Sequence, residues 1–225
     1  FVRSGSTWVQ QAKLVASDAT AGDSFGSSVA ISADSVLVGA MKDDAPATSN
    51  NQGSAYVFVR SGTAWLQQAK LLAGDPLAGD YFGGSVALSA DTALIGATQE
   101  VISSTNKVGK AYVFVRSGAS WAQQAKFVEN DGVPDTASGN IDSFGWSVAI
   151  EGDTAVVGAI NEDHPSPKRI QQGSAYVFAR SAGSWTRQAR LVALDGSTGD
   201  TLGASVSISG DTVVVGAYGD DTAGF

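Results

Sequence analysis

The chain has 225 residues, with 22 acidic against 14 basic side chains, one His and no Cys. Without Cys there is no disulfide framework, thiol nucleophile or thiolate metal site, and a single His rules out a multi-His cage. The net charge of −8 argues against a nucleic-acid partner, which calls for a basic surface, and no apolar run approaches the ~18 residues of a membrane span.

In chain order, Phe1-Val2-Arg3 and the stretch after Ser4-Gly5, with Trp8 and Gln10-Gln11-Ala12-Lys13, read as two strands around a tight turn. Phe25-Gly26 then precede two β-branched-rich runs, 29–32 and 36–40, joined at Ala33-Asp34. The next strand runs over 55–60, and Ser61-Gly62 turns it into a fourth over 65–72. The same cycle returns twice, and its first half a third time. In the later copies the first joint is Gly152-Asp153 or Gly210-Asp211, a hairpin dipeptide. Ala33 and Ala90 suit a positive-φ turn poorly, which leaves the turn type open. No segment has the caps and apolar spacing of an amphipathic helix.

The repeat is regular. The sequence AYVF returns with Tyr56, Tyr112 and Tyr176, and one Trp follows the turn each time: Trp8, Trp65, Trp121 and Trp185. Lys13, Lys70, Lys126 and Arg190 end the QQAK-like motif. Phe25, Phe82, Phe144 and Leu202 each precede a Gly, and a Gly-Ala pair follows 14 residues later, at Gly39, Gly96, Gly158 and Gly216. Length varies only before Phe-Gly and after Gly-Ala, so strands are fixed and two loops are elastic. Four short strands per unit, in tandem, predict an all-β propeller of four-stranded antiparallel blades. Whole blades are expected at about 25–72, 82–127 and 144–191, with half blades at 1–16 and 202–217, in one array over 1–225.

Phe-Gly, then Gly-Ala, then AYVF resembles the FG-GAP repeat of integrin α-subunit propellers. It is most similar to the bacterial variant with SGxxWxQQAKL after AYVF. The resemblance implies a ring of about seven blades, of which this chain would be part, with further repeats of the same chain as neighbours. It also implies an extracellular or cell-surface recognition or adhesion role without catalysis. It implies calcium loops too, but the matching place holds only Ala33-Asp34-Ser35 or its equivalents. One carboxylate in a two-residue turn does not supply six to eight oxygens. No cofactor is therefore expected. The weak alternatives for calcium are Asp43, Asp44, Asp220 and Asp221.

Strand direction alternates within a blade, so the inter-blade connections and the loops between second and third strands share one face. That face receives 17 of the 22 acids, which makes the variable loops the acidic side. A protein or glycan ligand is expected there, with Asp43, Asp44, Glu162, Asp163 and Trp146 as candidate contacts. Trp146 stands where the other copies have Ser27, Gly84 and Ala204. The pairs Asp18/Asp23, Asp75/Asp80 and Asp195/Asp200 read as turn caps rather than cation sites. The repeated Trp residues read as packing anchors, and the regular Arg and Lys positions as blade-to-blade pairing. A structural spacer, and a carbohydrate-binding or carbohydrate-active propeller, are the competing functions.

Overall fold

A computed structural model describes residues 1–44, 51–98, 109–129, 143–165, 168–169 and 171–220. Of residues 164–169 only the backbone is described. The strands are β1 (Val2–Ser4), β2 (Thr7–Val9), β3 (Phe25–Ser32), β4 (Ser35–Ala40), β5 (Ser54–Ser61), β6 (Ala64–Leu71), β7 (Phe82–Ser89), β8 (Thr92–Ala97), β9 (Lys110–Ser117) and β10 (Ser120–Val128). They continue with β11 (Phe144–Glu151), β12 (Thr154–Ala159), β13 (His164–Pro165), β14 (Lys168–Arg169), β15 (Ser174–Ser181), β16 (Ser184–Leu191), β17 (Leu202–Ser209) and β18 (Thr212–Ala217). No helix occurs among the described residues.

Three antiparallel sheets have four strands each: β3-β4-β5-β6, β7-β8-β9-β10 and β11-β12-β15-β16. Two-stranded sheets β1-β2 and β17-β18 flank them, and the small hairpin β13-β14 lies inside the long loop of the third unit. That hairpin was not anticipated, because two-residue strands beside prolines carry no periodicity to read. Neighbouring sheets stand face to face. First strands pack in succession, β3 on β7, β7 on β11 and β11 on β17, whereas fourth strands barely meet. The sheets therefore fan out from their first strands, as propeller blades do.

The core lies between sheets. Leu37 and Val57 of one blade meet Leu88, Ile95 and Phe114 of the next. Leu94 and Val113 likewise meet Ile150, Val157 and Phe178. Central strands are thus apolar on both faces, which is why they read as continuous runs and not as alternation. Each Phe of Phe-Gly packs edge-on against the Tyr and Phe of its own AYVF: Phe82 lies 5.4 Å from Tyr112 and 6.0 Å from Phe114, centroid to centroid.

The tight approach of blades needs glycine at the Gly-Ala position. The carbonyl of Gly145 lies where a β-carbon on Gly96 would be, and the carbonyl of Gly83 does the same at Gly39. The serine beside each glycine donates to that carbonyl: Ser28 to Gly83 at 2.7 Å, Ser85 to Gly145 at 2.8 Å and Ser147 to Gly203 at 2.7 Å.

The open question about the first hairpin turn resolves in favour of positive φ. Ala33 and Ala90 both have φ 49°, beside 56° at Gly152 and 54° at Gly210. Left-handed backbone costs an L-residue roughly 1–2 kcal/mol, part of which glycine returns as lost chain entropy. Ala33→Gly with Ala90→Gly is expected to raise stability by about 1 kcal/mol. The urea midpoint should rise with its slope unchanged.

Candidate functional site

The acidic loop face rests on a repeated polar cluster. The Tyr of AYVF is fully buried, and its hydroxyl reaches a carboxylate on the preceding inter-blade connection. Tyr56 donates to Asp18 at 2.9 Å and Tyr112 to Asp75 at 2.8 Å. The cation that ends the QQAK-like motif joins them: Lys70 lies 2.7 Å from Asp18 and 2.6 Å from Asp43, and Lys126 lies 3.0 Å from Asp75. Burial works against charge on Lys70, but its hydrogen bonds to Asp18, Asp43 and Tyr56 outweigh that and hold it above the ordinary lysine value. Asp18 and Asp75 are held below the carboxylate range against their burial, by hydrogen bonds from these lysines and tyrosines. Burial pushes the Tyr112 and Tyr176 hydroxyls up, so both stay protonated donors.

The third cluster differs. Tyr176 lies 2.7 Å from Glu129 and 2.8 Å from Glu162, and Glu162 is ion-paired with Arg190 and accepts from Ser174. Glu162 is only 2% exposed. Its burial, with the Glu129 charge beside it, pushes it up to about 9.

The Asp pairs divide. Asp23, Asp80 and Asp200 do close turns, accepting from the backbone N–H three residues earlier: Thr20 at 2.6 Å, Leu77 at 2.8 Å and Ser197 at 2.5 Å. Asp18 and Asp75 instead serve the Tyr and Lys of the following blade. Sequence reading missed Glu129, which takes the role of Asp18 and Asp75 two residues before the aligned Asp131; Asp131 lies outside the described residues.

Of the candidate ligand contacts, Asp43, Glu162 and Asp163 are buried, whereas Asp44 and Trp146 are exposed, Trp146 by 46%. Asp44 also accepts from the Asn51 N–H at 2.7 Å. Asp220 is exposed and Asp221 lies outside the described residues. No group of three or more Asp, Glu or His among the described residues converges as metal ligands would. Trp146 sits on the bulge that breaks the β11–β12 register after Phe144. The turn is tight: Ser143 has φ 53°, and its carbonyl accepts from the Trp146 N–H at 3.1 Å. Ser24, Tyr81 and Thr201 repeat that left-handed step, so the indole stands on a rigid feature common to all four units.

On the short-turn face, Asp34, Asp91 and Asp153 accept from Arg60, Arg116 and Arg180 at 2.7, 2.6 and 2.6 Å. Each guanidinium also lies over the Trp of its own blade, at 5.8, 5.7 and 5.0 Å. Arg116 and Arg180 reach the preceding blade at Ser35 and Thr92, both at 3.1 Å. The Trp indoles are inter-blade links: Trp65, Trp121 and Trp185 donate to Gln11, Gln68 and Gln124 at 2.9, 2.9 and 2.8 Å. Gln68 and Gln124 are the residues that the fourth strands skip in their register, and the bulge turns them towards the next blade.

A search of curated proteins finds no significant match. The FG-GAP repeat family model matches residues 8–58, 65–114, 121–178 and 185–225. Each match that lies wholly within the described strands' cycle begins at the bulge-seeking Trp and ends at the Phe of the next AYVF, so one family repeat straddles two sheets. With four matches covering most of its length, the chain belongs to the FG-GAP repeat family.

Proposed function

We propose that the chain is a non-enzymatic recognition module of an extracellular or cell-surface protein, which binds a protein or glycan through its long-loop face. Trp146 carries the reading. It is a large aromatic, nearly half exposed, on a rigid bulge where the other units carry Ser27, Gly84 and Ala204. On the same face, Asp43 and Glu162 are buried and bound by a tyrosine and a cation, and Asp44 is exposed. Rigid aromatic anchors beside polar groups suit recognition. On the short-turn face, by contrast, Asp34, Asp91 and Asp153 are paired with arginines of the same blades.

The test is capture of binding material from extracellular-matrix or cell-wall extracts, followed by a glycan array to separate the two ligand classes. Trp146→Ala is expected to weaken binding about tenfold or more, and Asp44→Asn to reduce its salt dependence. Arg60→Gln should alter stability and leave binding in place. Loss of binding with Arg60→Gln, and none with Trp146→Ala, would move the site to the opposite face. Asp43, Glu162 and Asp163 are poor probes, since their burial makes any change a stability change. If neither face binds anything but adjoining domains, the spacer reading replaces this one.

A further inference from the structure

The bulge that carries Trp146 also holds an amide. Ser143 turns the chain there, and two groups meet it: the Trp146 N–H donates to its carbonyl at 3.1 Å, and Asn161 Nδ2 donates to its hydroxyl at 3.0 Å. Asn161 is half-buried, and its side chain makes no other hydrogen bond among the described residues. The amide oxygen and one N–H are therefore left to bind something else. The path of the indole follows from the other units. A β-carbon added at Gly84, the counterpart of Trp146, would lie 3.9 Å from the hydroxyl of Thr98, the counterpart of Ile160. Ser27, in the same column, reaches the bulge of the next sheet, its hydroxyl 3.4 Å from the Gly83 carbonyl. Trp146 thus leaves its strand beside Ile160, the chain neighbour of Asn161, and on the side of the small residues Gly203 and Ala204.

An aromatic and an amide meet at this place in one unit only. Where the third unit has Trp146 and Asn161, the first has Ser27 and Lys42, the second Gly84 and Gln99, and the fourth Ala204 and Gly219. Trp146 is also the one large exposed apolar side chain among the described residues of 143–191. A protein partner covers about 800 Å² per side around several anchors. A sugar ring needs less. Its face of axial C–H groups lies on one flat aromatic, and its adjacent hydroxyls need a group that both donates and accepts. The Trp146 indole and the Asn161 amide supply these two things on one rigid bulge.

Building on the recognition role above, on which this inference rests, we propose that the ligand is a glycan: one of its pyranose rings stacks on the Trp146 indole and bonds Asn161 through neighbouring hydroxyls. The surrounding charge narrows the class. The long-loop face carries 17 of the 22 acids, so uronic and sialic acids are repelled, whereas neutral and amino sugars are admitted.

The test applies the 225-residue chain to an array of neutral, amino and acidic oligosaccharides, and titrates the strongest neutral or amino-sugar binder by calorimetry. Trp146→Ala is expected to weaken that binding about tenfold or more, and Asn161→Ala about threefold or more. Trp146→Phe keeps an aromatic face and should retain most of the affinity, which separates lost stacking from a lost fold; thermal melts followed by circular dichroism check the fold of each variant. Trp8→Ala removes an indole that is 67% exposed elsewhere and should leave binding unchanged. Full affinity in Trp146→Ala or in Asn161→Ala would overturn the proposal. So would a preference for acidic sugars. An array without a binder, beside Trp146-dependent capture of a protein from extracts, would overturn the glycan and leave the recognition role standing. If no material binds in a Trp146-dependent way, both fall.

Discussion

Gly96→Ala is expected to cost at least about 3 kcal/mol, a large share of the stability of a domain this size. Gly96 has ordinary negative-φ strand backbone, so alanine suits its conformation. The loss would come from the neighbour, because the new β-carbon would overlap the Gly145 carbonyl and the Ser85 hydroxyl. That carbonyl belongs to the bulge of β11, which cannot withdraw without breaking the Ser85 bond and opening the core between the second and third blades. Gly216→Ala makes the same chemical change where the nearest atom is the Ser205 hydroxyl, which can rotate away. It should cost under about 1 kcal/mol. Urea midpoints of the two variants test the contrast. Equal losses would show that glycine is needed there for backbone freedom and not for blade contact.

A second expected result is a stability that declines with alkalinity. Glu162 has an ordinary value of 4.5 when exposed and is pushed up to about 9 in the folded chain. The folded state therefore holds this proton more tightly than the unfolded one. The contribution is fully present below about pH 4.5 and is lost as pH rises through about 9, at up to about 1.4 kcal/mol per pH unit. Above that value Glu129 and Glu162 are both charged beside one tyrosine hydroxyl. Glu162→Gln keeps the shape and removes the titration, so its urea midpoint between pH 5 and 9 should be markedly flatter than that of the parent. An unchanged slope in the variant would place the titration elsewhere.

Strand order was legible in the sequence, because it rests on residues close together along the chain and repeated in step. The clusters beneath the loops were not. Asp18 and Asp43 lie in polar segments that read as solvated, and what engages them is a tyrosine that arrives 38 and 13 residues later. Glu162 looked like half of an exposed acidic pair for the same reason. Glu129 escaped alignment because the carboxylate that matters sits two residues off the repeat register, and a longer side chain makes up the difference. The bulged glutamines could not be read at all: QQ looks like uniform polar strand, and only the skipped register turns Gln68 and Gln124 towards the next indole. Trp146 was visible as an odd residue in a regular column, and its exposure agrees with that.

The offset between repeat and sheet bears on how such an array tolerates changes in length. Because a period begins in one blade's fourth strand and ends in the next blade's third, no single period folds into a sheet of its own. Yet removing or inserting one whole period, from any cut point, rejoins complementary remnants into complete blades with the Trp–Gln link, the glycine seat and the tyrosine cluster all regenerated. Partial periods enjoy no such immunity, since they would leave a sheet without its third strand and a carboxylate without its phenol. Blade number is thus free to vary in integer steps while the chemistry of every junction stays the same.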